Sequence, residues 1–288
     1  MRSRGLVLAG LVGAAVAVAG VVPAWAAPVA RDIGDACPVG GVPEDGFTDL
    51  PGSNVHERAV DCIRWWGVTV QNGTYGASQA VERGQMASFL ARIVTLTGGV
   101  LPESPPDAFT DDNGTTHERA INQLAAAKVV GGKGGGLYAP RERVSRAQMA
   151  AFLVRTVEYR TGQPLPPGED AFTDDQGYTH EPSINKAAAA GITGGSATGG
   201  YNPAGIVRRD QMGSFLARVL DFLVESGTPA KQPAPSPGDV KNCGDFGTYS
   251  EAKTWFDHYY PDYGDVAKLD LDNDLEPCET LPGGPAGR

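Results

Sequence analysis

The hydrophobic positions of this chain recur with the spacing of short amphipathic helices. In the stretch that begins at Arg83, the residues Met86, Phe89, Leu90 and Ile93 stand at positions i, i+3, i+4 and i+7. Side chains at this spacing lie on one face of an α-helix. The pattern therefore predicts a helix whose apolar face is buried in a core.

A second, shorter helix is predicted upstream of the first. Its apolar stripe is clearest in the middle of the chain, at Ala120, Ile121, Leu124 and Ala125. The stripe ends near a residue that stands 11 positions after a histidine in each of three places (67 − 56, 128 − 117 and 191 − 180), namely Gly67, Lys128 and Gly191. Length differences between the three places fall in the connecting loops, which tolerate insertions.

The whole pattern occurs three times with an offset of 63 residues between the glutamines of the longer helix (148 − 85 and 211 − 148). Each copy also carries Phe-Thr-Asp, a His-Glu pair and a tyrosine before the longer helix. Because a pair of short helices cannot bury its own apolar faces, such units pack on each other. We expect a mainly α fold in which three helix-loop-helix repeats pack as a pseudo-trimer, with grooves between them.

The first 26 residues have the pattern of a secretory signal. Arg2 and Arg4 precede an apolar stretch over residues 5–22, and Ala24-Trp25-Ala26 is a small-x-small cleavage site, so the mature chain is expected to begin at Ala27. The alternative is an uncleaved membrane anchor. No later apolar run approaches the ~20 residues of a membrane span. The sequence thus predicts an exported chain without a membrane span after processing.

Charge and cysteines narrow the partners and the compartment. The formal charge is −10, and −12 once Arg2 and Arg4 are removed with the signal, which disfavours nucleic acid and anionic lipid as main partners. Four cysteines in an exported chain suggest disulfides. Three connectivities are possible, and the domain boundaries favour Cys37 with Cys62 and Cys243 with Cys278.

The arginine at the start of each longer helix is the most informative polar residue. Arg83, Arg146 and Arg209 fall in the first helical turn, where a cation opposes the helix dipole at a cost of ~0.3–1 kcal/mol. Each arginine should therefore have an anionic partner. That partner is either a carboxylate of the repeat, such as Asp49 or Glu57, or an acidic ligand held together with free helix N–H groups.

The order of these motifs resembles the S-layer homology (SLH) domain, in the form common in high-GC Gram-positive bacteria. The resemblance covers roughly residues 45–225, in three copies. It implies three helical units folded as one pseudo-trimeric body. It also implies non-covalent attachment to a secondary cell-wall polysaccharide, often one that bears acidic pyruvyl ketals.

In that family, a Thr-Arg-Ala-Glu motif at the start of the second helix supplies ligand contacts. Here the arginine is kept in all three copies, the glutamate is replaced by glutamine, and the hydroxyl residue survives once. The resemblance thus implies these glycan-binding residues: Arg83, Arg146, Arg209, Gln85, Gln148, Gln211 and Ser145.

The C-terminal part resembles the excalibur domain, a small exported calcium-binding module, over about residues 241–282. That family places two cysteines around an acidic Asp-x-Asp-x-Asp-Gly motif, and the matching ligand set is Asp270, Asp272, Asp274 and Glu279. The usual glycine is Leu275, where a bulky side chain at positive φ is strained. The resemblance implies Ca²⁺ binding, weakened by Leu275. The alternative is an acidic surface loop with only a structural disulfide.

These signals divide the chain into a signal peptide, a short N-terminal segment, three SLH repeats, a Pro-rich linker, the excalibur-like module and a tail. The corresponding ranges are 1–26, 27–44, 45–100, 107–161, 170–225, 226–240, 241–282 and 283–288.

Together they predict an exported, non-enzymatic cell-envelope protein that binds wall polysaccharide and calcium. The alternatives are an extracellular hydrolase or nuclease-associated protein, and a secreted adaptor whose repeats bind a protein. Catalytic spacing is absent from the motifs: His258 stands alone, and the other histidines recur in His-Glu pairs that we interpret as structural.

Overall fold

The computed structural model of the chain describes residues 28–44, 47–70, 73–196, 199–231, 238–263, 265–271 and 276–285. The expected signal peptide, its cleavage site and the start of the first repeat at Asp45 lie outside these ranges. Within them, no helix is both long and apolar enough to cross a membrane.

The described residues form a mainly helical protein, as predicted. Helices alternate between short and long through the body, and one more follows in the C-terminal module. They are α1 (Glu57–Trp65), α2 (Arg83–Leu96), α3 (Glu118–Ala126), α4 (Arg146–Thr161), α5 (Glu181–Ala189), α6 (Arg209–Glu225) and α7 (Tyr249–Tyr263). We refer to the pairs α1–α2, α3–α4 and α5–α6 as units one, two and three.

The short helices end where the sequence predicts. Each stops one residue before its cap, and the residue after the cap has the left-handed backbone that closes a helix: Gly67 at φ 82°, Lys128 at φ 59° and Gly191 at φ 70°. Lysine tolerates this conformation less well than glycine, yet the same turn forms in unit two.

The units pack in a closed ring. The first helix of each unit packs against the second helix of the preceding unit: α3 on α2, α5 on α4, and α1 on α6. The predicted apolar faces meet in one core, in which Met86, Leu90, Ile121 and Leu124 are fully buried. The expected pseudo-trimeric packing is thus present.

A cycle of three backbone hydrogen bonds closes the ring at its axis. The N–H of Val81 donates to the carbonyl of Val207, that of Val207 to Val144, and that of Val144 to Val81, at 2.9–3.0 Å. All three valines are completely buried. Because an unpaired buried peptide group is costly, each unit depends on both others.

The N-terminal segment packs over the junction of units three and one. The predicted Cys37–Cys62 disulfide is present and ties it to α1. Arg31 donates its backbone N–H to the carbonyl of Gly191, and its guanidinium pairs with Asp221 and Glu225 of α6. We call residues 28–37 the N-terminal strap.

The C-terminal module has its own small core. The predicted Cys243–Cys278 disulfide joins a short 3₁₀ turn, Cys243–Asp245, to the acidic loop. Phe256 on α7 packs there with Ala267 and Leu269. A core of this size is marginal by itself, which explains the value of the disulfide.

Candidate functional site

The motif arginines begin α2, α4 and α6, and the contacts of Arg83 are with backbone carbonyls. Arg83 donates from Nε to the carbonyl of Tyr138 at 2.9 Å, and from Nη2 to the carbonyl of Gly131 at 2.8 Å. The alternative of a repeat carboxylate as partner is therefore not found for Arg83 among the described residues. The arginine of one unit instead binds backbone carbonyls of the next unit.

The same contact recurs around the ring. Arg146 donates to the carbonyls of Tyr201 and Gly194, and Arg209 donates to the carbonyl of Tyr75. Each guanidinium also lies over that tyrosine ring, with its central carbon 4.4–4.8 Å from the ring centroid. Such cation–π contacts strengthen when the cation is desolvated. The arginines thus hold the units together.

The tyrosines return the contact. The hydroxyls of Tyr75, Tyr138 and Tyr201 donate to the backbone carbonyls of the arginines that cover them, at 3.0–3.1 Å. The phenylalanine of each Phe-Thr-Asp motif packs on its tyrosine, with centroids 5.1–5.3 Å apart. The spacing of these motif residues, which recurs in all three copies, therefore places them in contact at the interfaces between units.

The first amides of the long helices are also occupied. The N–H of Arg83 donates to the carbonyl of Glu142, and that of Gly84 to the carbonyl of Pro140. Equivalent bonds join Arg146 and Ala147 to unit three, and Arg209 and Asp210 to unit one. The first two N–H groups of each helix are therefore not free for a ligand, contrary to expectation.

The motif glutamines cap their own helices. The Oε1 atoms of Gln85, Gln148 and Gln211 each accept the N–H of the residue before the helix, at 3.1 Å. Ser145 completes the capping box in unit two, because its Oγ accepts the N–H of Gln148. The amide nitrogen of Gln148 also donates to Glu142 at 3.4 Å, whereas those of Gln85 and Gln211 have no hydrogen-bond partner among the described residues.

The aspartate of each Phe-Thr-Asp motif binds the loop before the long helix. Asp49 accepts the N–H groups of Tyr75, Gly76 and Ala77 at 2.7–2.8 Å. Burial alone raises the pKa of Asp49, but these three hydrogen bonds outweigh it and the pKa lies below the ordinary value. This carboxylate is a structural group.

The arginine and the glutamine of one motif point into different grooves. Arg83 of unit one and Gln148 of unit two line the same groove, while Arg146 and Gln211 line the next. A motif that is contiguous in sequence is thus divided between two sites, each built from all three units.

We name the two grooves after a second arginine that each contains. The Arg155 groove has a volume of 260 Å³ and is lined by Arg83, Gly131, Gly132, Lys133, Gln148, Ala151, Phe152, Arg155 and His180. The Arg218 groove has a volume of 610 Å³. Its lining comprises Pro28, Val29, Ala30, His56, Arg146, Gly194, Gly195, Ser196, Tyr201, Asn202, Gln211, Ser214, Phe215 and Arg218.

Neither lining contains a carboxylate, whereas each contains two arginines and a histidine. Burial lowers the pKa of His56 below its usual value, and the nearby Asp210 carboxylate only partly offsets this. His56 is therefore neutral at neutral pH and is hydrogen-bonded to the Ser214 hydroxyl through Nδ1, at 2.8 Å. The grooves are suited to a small anion with hydroxyl groups.

The histidines of the His-Glu pairs connect units. His117 bonds the Ser88 hydroxyl through Nδ1 at 2.8 Å, matching His56 with Ser214. Ala151 stands at the equivalent position beside His180, so this bond is missing there. These contacts fit the interpretation that the pairs are structural.

Sequence reasoning missed the arginine nine residues into each long helix. Arg92, Arg155 and Arg218 also recur at intervals of 63 residues (155 − 92 and 218 − 155). This recurrence could have identified them as a repeated feature. The sequence alone does not show which arginines donate to other parts of the protein, whereas the structure does.

The calcium-like loop is only partly described. Asp270 is buried and Glu279 half-buried, and the N–H of Asp270 donates to Asp265. Asp272, Asp274 and Leu275 lie outside the described residues. Elsewhere in the described ranges, no three acidic, histidine or cysteine side chains stand close enough to hold a metal. The calcium site stays a prediction.

Comparisons with known proteins agree with this architecture. The family model of the S-layer homology domain matches residues 108–150 and 171–212, in units two and three. The chain is 27% identical over 176 residues to an uncharacterized cell wall amidase from Bacillus anthracis, covering 60% of this chain and 32% of that protein.

Two other relatives are surface proteins. An S-layer protein from Bacillus licheniformis is 27% identical over 177 residues, 59% of this chain and 19% of that protein. A cell surface protein from Thermoanaerobacter kivui is 25% identical over 237 residues, 80% of this chain and 28% of that protein. The chain thus spans about a third or less of the length of these relatives.

The family model thus detects two S-layer homology domains in the chain. With the cell-wall, S-layer and cell-surface relatives, they support a location at the cell surface or in the cell wall.

Proposed function

We propose that the chain anchors itself to the cell wall non-covalently. In this proposal, all three units act as SLH repeats, and the grooves between them bind acidic units of a wall polysaccharide. The observation that carries it is the composition of the two grooves: each is lined by two arginines, a histidine and a glutamine, with no carboxylate among its lining residues. Charge-assisted hydrogen bonds from arginine are well suited to such anions.

The first unit belongs in this proposal although the family model does not detect it. Its helices pack in the same ring, Tyr75 and Arg209 make the same contact as Tyr138 and Arg83, and His56 of unit one lines the Arg218 groove. A binding body built from units two and three alone would lack that wall.

Co-sedimentation with purified cell walls tests the anchor. We expect the processed chain to pellet with intact walls and to stay in the supernatant after acid extraction has removed the secondary polymer. Equal binding to both preparations would assign the ligand to peptidoglycan or to a wall protein, the adaptor alternative, and would overturn the proposal.

We also propose that the C-terminal module binds Ca²⁺ through Asp270, Asp272, Asp274 and Glu279. The support is the excalibur-like motif and the disulfide that joins Cys278, within that motif, to Cys243 at the start of the module. Calorimetric titration of the whole chain should reveal one site that is lost in the variant Asp272→Asn/Asp274→Asn. An unchanged titration in that variant would contradict the proposal.

A catalytic role is the other candidate, because one relative is named a cell wall amidase. The match covers only 32% of that protein, and we propose that the shared part is the anchor. Zymography on cell walls tests this point: a clearing zone from the purified chain would contradict a purely binding role.

A further inference from the structure

We propose that the grooves between the units are unequal, and that Arg218 and the N-terminal strap make the Arg218 groove the principal site for the acidic sugar unit. In this view, Arg146 is a positioning residue and Arg218 is the residue that contacts the anion. This inference rests on the proposed function. It assigns sugar binding mainly to one groove, to Arg218 as the contact residue and to the N-terminal strap as a wall of that groove.

Arg218 is the first observation. It lies half-buried on α6 and makes no hydrogen bond or ion pair with any other residue that the structure describes. Arg146, in the same groove, has two carbonyl partners. Burial and the nearby positive charge of Arg146 lower the pKa of Arg218. Two guanidinium groups side by side repel each other, and an anion between them removes that repulsion.

The groups that face this pair do not supply the anion. His56 is a neutral hydrogen-bonding group across the groove. Asp210, whose charge acts on His56, is engaged by Arg208 at 2.9 Å and by Asn54. Asp174, whose charge acts on Arg146, accepts the N–H groups of Tyr201 and Asn202. The charge of Arg218 is therefore left for a ligand from outside the chain.

The equivalent arginines differ from Arg218. Arg92 donates from Nη1 to the carbonyl of Val68 at 3.0 Å, so its own unit satisfies part of it. Arg155 is exposed, and its smaller groove contains Lys133, which pairs with Glu142 at 2.7 Å. An exposed guanidinium is screened by water and contributes less to binding than a half-buried one.

The N-terminal strap supplies the second observation. Pro28, Val29 and Ala30 line the Arg218 groove and have no counterpart in the lining of the Arg155 groove. The strap lies so close to Gly194 that an added Cβ there would be 3.0 Å from the carbonyl oxygen of Pro28. The equivalent Gly131 has nothing within 4 Å. The strap thus forms one wall of this groove, which at 610 Å³ has the size of a small-molecule site.

Matched arginine variants test the contact residue. The affinity of the whole processed chain for the acid-extracted polysaccharide is measured by calorimetry for Arg218→Ala, Arg92→Ala and Arg218→Lys. We expect Arg218→Ala to lose about tenfold in affinity, Arg92→Ala less than about twofold, and Arg218→Lys to retain part of the binding. The melting temperature of Arg218→Ala should change little, because no hydrogen bond or ion pair with a described residue is lost and the repulsion from Arg146 is relieved.

The outcomes separate the inference from the proposed function. If the unsubstituted chain does not bind the polysaccharide, the proposed function fails. If it binds and Arg218→Ala binds equally well, only the present inference fails. The anion that Arg218 binds is a carboxylate or a phosphate of the polysaccharide. Binding measured after chemical reduction of the carboxylates, and separately after removal of the phosphates, shows which of the two it is. Undiminished binding after both treatments would overturn an anionic ligand.

A matched glycine pair tests the strap. Gly194→Ala should displace the strap and lower the affinity by about fivefold. The control Gly244→Ala, in the C-terminal module, should leave it unchanged, because an added Cβ there meets nothing within 4 Å. Neither glycine has positive φ, so alanine introduces no backbone strain at either position. Equal affinity in the two variants, with intact folding by circular dichroism, would contradict a role for the strap in binding.

Discussion

At the scale of single residues, the motif arginines illustrate how a polar group can serve structure before ligand binding. Arg83 is almost completely buried, donates two hydrogen bonds to carbonyls of the next unit and lies between Tyr138 and Phe152. The positive end of the helix dipole disfavours a cation at this position. The two carbonyl acceptors and the two aromatic rings compensate for this unfavourable interaction with the helix dipole.

Replacement of Arg83 should therefore destabilise the fold. We expect Arg83→Ala to lower the free energy of unfolding by about 2–4 kcal/mol, because two carbonyls lose their donor and the rings lose their cation. Arg83→Lys should not rescue it, since an ammonium cannot reproduce the planar fork. Urea unfolding measures both, with the exposed Arg119→Ala as control. A change within about 0.5 kcal/mol would contradict the interface role.

A buried carboxyl provides a pH-dependent prediction. Asp175 is fully buried, and its two oxygens lack a hydrogen-bond partner among the described residues. Burial, and secondarily the charge of Asp170, raises its pKa to about 6. Because the folded-state pKa exceeds the unfolded value, the folded state binds more protons, and stability falls as pH rises from about 4 to about 6.

In unit one the position equivalent to Asp175 is occupied by Leu50, which is buried. The position therefore accepts an apolar side chain. Asp175→Leu should thus raise the free energy of unfolding at pH 7.5 by about 2 kcal/mol and leave it nearly unchanged at pH 3.5. The neighbouring Asp174→Asn is the control and should act in the opposite direction, because Asp174 accepts the N–H groups of Tyr201 and Asn202. Thermal melts of both variants at the two pH values measure these changes. If Asp175→Leu is less stable than the unsubstituted chain at pH 7.5, the buried carboxylate does not destabilise the fold.

At the scale of elements, local patterns were enough to predict the helices. Met86, Phe89 and Leu90 fix the buried face of α2, and the turn at Gly67 fixes the end of α1. The partner of Arg83 was not predictable in this way. It is a carbonyl 55 residues away that reaches the arginine only because the units close into a ring.

The candidate site could be predicted only in part, because it also depends on how the units close into a ring. The sequence identified Arg146 and Gln148 as one motif, but the structure divides them between two grooves. Arg218 is half-buried and has no hydrogen bond or ion pair with another described residue, and this depends on how the units pack together. The N-terminal strap carries no motif at all, so its place beside Gly194 required the structure.

The strap also makes a prediction about the disulfide that holds it. Cys37→Ala/Cys62→Ala removes a cross-link that closes a loop of about 25 residues, with an expected loss of about 3 kcal/mol in unfolding free energy. Proteolysis should then cut within residues 28–37 first, because Cys37 no longer tethers the strap to α1. Mass spectrometry of the digest identifies the site. Unchanged protection of the strap would contradict this tether.

At the scale of the whole molecule, three similar units form one body whose grooves are not equivalent. The hydrogen-bond cycle of Val81, Val144 and Val207 makes the ring cooperative. Differences between units, such as Ser214 against Ala151 and the strap on one side only, make the grooves differ. A pseudo-symmetric body can thus retain a stable frame while its binding strength is concentrated in one groove.

The most direct test of the account is quantitative co-sedimentation of the processed chain and its Arg155→Ala/Arg218→Ala variant with intact and acid-extracted walls. We expect the unsubstituted chain to pellet with intact walls only, and the double variant, although folded, to pellet with neither preparation. Binding of the folded double variant to intact walls at the level of the unsubstituted chain would contradict the claim that these basic grooves form the anchor.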